Sequence, residues 1–165
     1  MMNGPGRTAH RPERVAAEAG RATIVNIGFP IDGGAAMSLA TAPATTILPT
    51  SQADAARAFY ADALGLPFRG RDADGKLLFA LSAGSTLALI EKPAGSQADH
   101  TSISFEVANI DASIADLQAR GVVLDDYDLP GLRTVEHVCV LGAEKAAWFK
   151  DPDGNILCLH ELIGQ

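Results

Sequence analysis

The sequence predicts an α+β fold made of two successive βαβββ modules, and three observations carry that prediction. The 165 residues are 47% hydrophobic, which is enough to build one well-buried core. The order strand, helix, three strands occurs twice along the chain. Near the C-terminus, two apolar runs of strand length flank Asp151-Pro152-Asp153-Gly154-Asn155, where Pro presets one backbone angle and Gly supplies the positive φ of a hairpin turn.

Residues 1–42 are rich in Gly, Ala and Pro, with scattered arginines and no sustained period, so they read as a poorly ordered arm. Within it only 21–29 has strand character. The arm lacks the apolar stretch of a secretory signal, and Met37 offers an internal start. The domain is expected over 43–163, with module one at 43–91 and module two at 100–163.

Module one opens with a short strand at 45–49. Ser51 then stands as a helix N-cap with Asp54 three residues on, and Ala56, Phe59, Tyr60, Ala63 and Leu64 recur at helical spacing until Gly65. Strand patterns follow at 66–69, 76–81 and 86–91, separated by Asp74-Gly75 and Ala83-Gly84. After a polar linker, 100–107 alternates as a strand. Asn109 or Asp111 caps a second helix, which buries Ile110, Ile114 and Leu117 before Gly121. Strands are expected at 122–124, 145–150 and 155–162. The connection 125–142 is long for a compact fold, which suggests a pocket cover or a disordered segment, with an edge strand at 135–141.

A net charge of −7 and a pI of about 4.9 make nucleic acid and anionic membrane surfaces poor partners. No apolar run approaches the roughly 20 residues of a membrane span. Two cysteines, Cys139 and Cys158, make neither a disulfide framework nor a four-ligand zinc site, and they suit a reducing, cytoplasmic setting.

Trp148-Phe149, the Asp-Pro-Asp-Gly-Asn turn and the strand after it resemble the closing hairpin of the vicinal oxygen chelate superfamily. That group contains glyoxalase I, the bleomycin-resistance proteins and the extradiol dioxygenases. Phe59-Tyr60 with Leu64-Gly65 in module one, and Phe105-Glu106-Val107, Ile110-Asp111, Leu117 and Gly121 in module two, extend the resemblance over about 43–163. It implies a concave mixed sheet curled into a cup with helices outside, a small organic ligand in the cup, and a homodimer.

In metal-dependent members a His or Gln and a Glu from each module hold a divalent ion. The resemblance carries those positions onto Thr45, Ala88, Ser102 and Cys158, none of which supplies imidazole or carboxylate. The expectation is therefore a metal-free, cofactor-free binding cup of the bleomycin-resistance kind, in which Thr45, Ile47, Ala88, Ser102, Ser104, Trp148, Cys158 and His160 meet the ligand.

The alternative is a lyase, isomerase or dioxygenase-type enzyme with displaced ligands. His100 and His160 lie two residues from the implied positions in opposite directions, and would face each other across antiparallel neighbours to hold a divalent metal. A further variant is metal-free acid–base catalysis by Glu106 or His100, since Ser102, Ser104 and Glu106 share one face of a strand.

Cys158 invites a nucleophile reading through His160, but strand neighbours two apart stand about 7 Å from each other, and a free cysteine is ordinarily an inert apolar group. Asp72-Ala73-Asp74-Gly75 echoes a calcium loop yet lacks the later ligands, so turn chemistry accounts for it. Asp125, Asp126 and Asp128 read as a solvated charge run, or as a mouth attractive to cations.

Overall fold

The computed structural model of the protein describes residues 38–164. Module one runs β1 (Thr45–Thr50), α1 (Ala53–Ala58) continuing into a π-helical turn (Phe59–Ala63), β2 (Phe68–Arg71), β3 (Leu77–Ala80) and β4 (Thr86–Glu91). Module two runs β5 (Thr101–Glu106), α2 (Ile110–Ala119), β6 (Leu124–Asp125), β7 (Asp128–Leu129), β8 (Leu132–Arg133), β9 (Cys139–Leu141), β10 (Glu144–Lys150) and β11 (Ile156–Leu162). The strand expected at 21–29 lies outside the described residues, as does most of the arm.

The two main sheets have orders β1-β4-β3-β2 and β5-β11-β10-β6. In each, the first strand lies parallel to the last, and the remaining pairs are antiparallel. A parallel pair needs a crossover, and the helix of each module begins it. The predicted α+β repeat is therefore present as two mixed sheets of the same topology.

Strand alternation turns Leu48, Leu77, Phe79, Leu87 and Leu89 of one sheet, and Ala147, Phe149, Leu157 and Leu159 of the other, into a shared core with Tyr60, Ile110, Ile114 and Leu117 from the helices. The π turn places Phe59 and Tyr60 together in this core. Phe59 meets Tyr60 edge-on at 5.3 Å and reaches Phe149 of the other module at 6.5 Å, while Tyr60 packs on Phe79 at 5.5 Å.

The Pro-Asp-Gly turn joins the modules. Gly154 takes φ +89°, a conformation that glycine adopts without steric cost. The buried Asp151 carboxylate accepts hydrogen bonds from the Tyr60 hydroxyl (2.9 Å), the Asp153 N–H (3.0 Å), the Asn155 N–H (2.9 Å) and the Asn155 side-chain amide (2.7 Å). That amide also donates to the Pro49 carbonyl at 2.9 Å. Burial, and then the Asp151 charge, push the Tyr60 hydroxyl far above its ordinary pKa, so it stays a donor.

Ser51 is not the helix cap. Gln52 holds that position without a side-chain bond. The Ser51 N–H and hydroxyl instead donate to Asp153 at 2.7 and 2.6 Å, and the Thr50 hydroxyl does so at 2.5 Å. These charge-assisted bonds tie Ser51 to the closing turn of module two. The second helix matches expectation, with Asn109 Oδ1 accepting from the Ala112 N–H at 2.8 Å.

Strand boundaries shift by one or two residues from those read in the sequence. The long connection is largely structured: β7 and β8 form a hairpin, and β9 is the expected edge strand, shortened to Cys139–Leu141. Val135 and Val138 close a tight turn whose central residues, Glu136 and His137, take φ +50° and +71°.

Asp153→Asn is expected to lower the urea-unfolding free energy by about 1.5–3 kcal/mol, the range for hydrogen bonds to a charged group. Burial works to raise the Asp153 carboxyl, but bonds from Ser51 and Thr50 outweigh it and hold the pKa below its ordinary value. The stability it contributes is then complete above the unfolded value of about 4 and is lost as pH falls through the folded value. Acid urea titrations should therefore fall more steeply for the parent than for Asp153→Asn. Parallel curves would refute the assignment.

Candidate functional site

Each sheet has a second face, turned away from the core. In module one it carries Thr45 and Ile47 of β1, Leu78 of β3, and Ala88 and Ile90 of β4. Ile47 stands opposite Ala88, and Ala88 opposite Leu78. Ile47 is 55% exposed, while Ala88, small and flanked on both sides, is fully shielded.

In module two the equivalent rungs are richer. Ser104 of β5 lies level with Cys158 of β11, which lies level with Trp148 of β10; one pleat along, Glu106, His160 and Ala146 are aligned. At the start of β5 the register slips. Thr101 is opposite Ile156 and Ile103 opposite Leu157, which leaves Ser102 as an unpaired bulge residue. Thr101 Oγ1 accepts the Trp148 indole N–H at 3.2 Å, and the Ser102 hydroxyl turns back to the His100 carbonyl at 3.4 Å.

The residues across from Ala88 and Cys158 are Ile47 and Ser104, one pleat beyond Thr45 and Ser102. The same offset between implied position and rung partner occurs in both modules. Neither the implied positions Thr45, Ala88, Ser102 and Cys158 nor the rung partners Ile47 and Ser104 carry imidazole or carboxylate. Burial raises the Cys158 pKa, only partly opposed by the Ser104 hydroxyl and the Ala147 amide, which makes a metal-binding thiolate harder to form.

The displaced histidine pair is overturned. β5 and β11 are parallel, so opposite displacements carry the two residues apart. His100 precedes the rung of Thr101 and Ile156, whereas His160 sits four rungs on, about 13 Å away at strand rise. His100 is exposed, with Nδ1 3.1 Å from the Thr101 carbonyl. Among the described residues no three His, Cys, Asp or Glu side chains gather to hold a metal ion.

Four predicted residues do converge. Ser104 Oγ lies 2.8 Å from His160 Nδ1, and His160 Nε2 lies 3.8 Å from Glu106 Oε2. Beside them the Cys158 thiol donates to the Leu159 carbonyl at 3.1 Å. The Glu106 side chain is 67% exposed and that of His160 23%, so the carboxylate sits at the rim and the imidazole further in.

Trp148 meets Tyr127 edge-to-face at 5.5 Å, forming an aromatic corner over the Ser104–Cys158 rung. Tyr127 was not singled out in the sequence. The length of the connection that carries it was the available signal. Its N–H donates to Thr134 Oγ1 at 2.9 Å, and burial with the Asp125 charge raises its hydroxyl.

The acidic run is tied down. Asp126 lies 3.0 Å from His137, Asp125 3.3 Å from Lys150, and Asp128 3.7 Å from Arg133. The first two contacts lie off the line of a hydrogen bond.

Two hollows lie elsewhere. One of about 730 Å³ is open and polar, between Thr50, Ser51, Arg71, Glu91 and Lys92. One of about 210 Å³ is apolar, between Leu64, Leu66, Phe105, Leu117 and Phe149. No predicted site residue lines either.

The comparisons with known proteins follow this geometry. A family model described as the Glyoxalase/Bleomycin resistance protein/Dioxygenase superfamily matches residues 40–159. Among solved structures, TnmS3, an antibiotic binding protein from Streptomyces sp. CB03234, is 23% identical with a TM-score of 0.57, covering 78% of this chain and 99% of its own. A glyoxalase/bleomycin resistance protein from the same organism is 24% identical with a TM-score of 0.53, covering 72% and 98%.

Lactoylglutathione lyase from Agrobacterium tumefaciens is 21% identical with a TM-score of 0.54, covering 73% and 92%. At these identities the likeness is one of fold. A search of curated proteins returned no match. No helix among the described residues is long and apolar enough to cross a membrane. The chain belongs to the glyoxalase/bleomycin-resistance/dioxygenase superfamily, the vicinal oxygen chelate group, and carries its paired βαβββ modules.

Proposed function

We propose that the protein binds a small organic molecule against the open sheet faces, that it does so without a chelated metal, and that two copies pair to close the cup. The observation that carries this reading is the aromatic corner of Trp148 and Tyr127 above the Ser104–Cys158 rung. It offers a flat apolar wall beside a few polar groups, the composition of small-molecule sites. The absence of imidazole and carboxylate from Thr45, Ala88, Ser102 and Cys158, the positions that the family resemblance implies, supports the metal-free part. The printed description of TnmS3 as antibiotic binding supports a sequestering role.

Pairing of copies is supported by Ile47, a large apolar side chain 55% exposed on the open face of module one. A cytoplasmic setting accords with the two buried free thiols.

Trp148 is the chain's single tryptophan, so its fluorescence reports the site directly. Titration with a panel of planar aromatic compounds is expected to produce saturable quenching by some members. Calorimetry with such a ligand should show Trp148→Ala weakening binding at least about tenfold, or ~1.4 kcal/mol. Linear quenching throughout the panel would defeat the binding reading.

Calorimetric titration with zinc, nickel and manganese is expected to give no tight stoichiometric site. A site abolished by changing His100 or His160 would overturn the metal-free part. Sedimentation should return twice the chain mass of 17.2 kDa.

A further inference from the structure

The open face of β5 and β11 carries a chain of groups that ligand binding does not require. The strands are parallel and in register beyond the bulge, so Ser104 and Glu106 of one strand flank the imidazole that His160 raises from the other. The hydroxyl meets Nδ1 at 2.8 Å, and the carboxylate stands 3.8 Å from Nε2. Hydroxyl, imidazole and carboxylate in that order form the arrangement by which an unreactive alcohol becomes a nucleophile: the imidazole takes the proton. The carboxylate, which at 3.8 Å stands beyond hydrogen-bond distance, favours the charge that the ring gains.

Of the two nucleophilic side chains on the rung, Cys158 is only 5% exposed, whereas Ser104 is open to solvent. Donors for an acyl oxyanion are also at hand. β5 is an edge strand, and the Val107 N–H is bonded inward to the His160 carbonyl at 2.8 Å. By alternation along a parallel ladder, the N–H groups of Ser104 and Glu106 are directed to the open edge. The first of these lies beside the Ser104 hydroxyl itself, where an oxyanion would form.

We propose that Ser104, with His160 as general base and Glu106 as a positioning residue, accepts acyl groups from small esters and releases them to water. Ser104 Oγ attacks the ester carbonyl carbon while its proton passes to His160 Nδ1. The bond from that carbon to the alcohol oxygen breaks, and the alcohol departs with the same proton. Water then attacks the acyl-serine, gives a proton to His160, and releases the carboxylic acid as Ser104 recovers its hydrogen. The sum is ester plus water giving acid plus alcohol, with no oxidant or reductant.

The test treats the full chain with an alkyl fluorophosphonate and, separately, with p-nitrophenyl acetate, and maps adducts by peptide mass spectrometry. Ser104 is expected to carry the adduct in both cases, and Ser104→Ala to lose it. His160→Ala should slow labelling about 10²- to 10⁴-fold, the range for a general base, with His160→Gln used if the alanine variant fails to fold by circular dichroism. Glu106→Gln should slow it about tenfold, and Glu106→Asp should restore much of the loss, which a merely structural role would not predict.

Three results would each overturn the proposal: no adduct on Ser104, labelling of Ser104 no faster in the folded chain than in urea, or His160 variants labelled at the parent rate. The proposal stands apart from the binding reading. Saturable quenching of Trp148 without acylation defeats the hydrolytic step alone, and acylation of Ser104 without quenching by any planar ligand defeats the binding reading alone.

Discussion

The buried Asp151 carboxylate is the constraint on which the arrangement of the two modules depends. Among the described residues no cation pairs with it, and an unpaired charge in a protein interior is costly. The cost is met by four hydrogen bonds, one from the Tyr60 hydroxyl across the module boundary and three from the turn itself. Asp153, two residues on, grips Thr50 and Ser51 at the end of β1. One five-residue turn thus fixes both the closing hairpin of module two and the strand-to-helix corner of module one. With that corner held, the apolar faces of both sheets converge on the common core around Phe59, Tyr60 and Phe149.

A shared core decides which faces remain for function. Each sheet spends one side on stability and leaves the other open, and the modules have used that side differently. Module one presents Ile47, Leu78 and Ala88, and module two presents Ser104, Cys158, His160 and Trp148 at topologically equivalent rungs. The connection carrying β7, β8 and β9 contributes Tyr127 to the open face of module two. It is steadied by Thr134, whose hydroxyl meets both Asp126 and the Tyr127 backbone.

That connection also shows local strain in a defined place. Glu136 and His137 occupy left-handed backbone in succession, a conformation that costs residues bearing a Cβ roughly 1–2 kcal/mol each. The two hydrogen bonds between Val135 and Val138, at 2.8 and 3.0 Å, hold the turn closed, and the His137–Asp126 contact anchors its side. The hairpin β7–β8, beyond this turn, leaves Leu129 57% exposed.

The sequence by itself determined the elements and their order. Helical periodicity located Ala56, Tyr60, Ile110, Ile114 and Leu117 inside, because burial of one face follows from 3.6-residue spacing. The turn Asp151-Pro152-Asp153-Gly154-Asn155 was legible because its backbone demands specific residues. The repeat was legible because two modules obey the same pattern, and the matched family agrees with it.

What only the tertiary structure decided was register and pairing. Strand alternation gives the face of a residue but not the rung opposite it, so the bulge at Ser102 was invisible, as was the match of Ser104 to Cys158. Whether β5 and β11 run parallel is a property of chain crossover, and it alone separates His100 from His160 and joins His160 to Ser104 and Glu106. Ser51 illustrates the same division. A local rule made it a helix cap, and a carboxylate more than a hundred residues away in sequence holds it instead, through charge-assisted bonds that only the fold brings within reach.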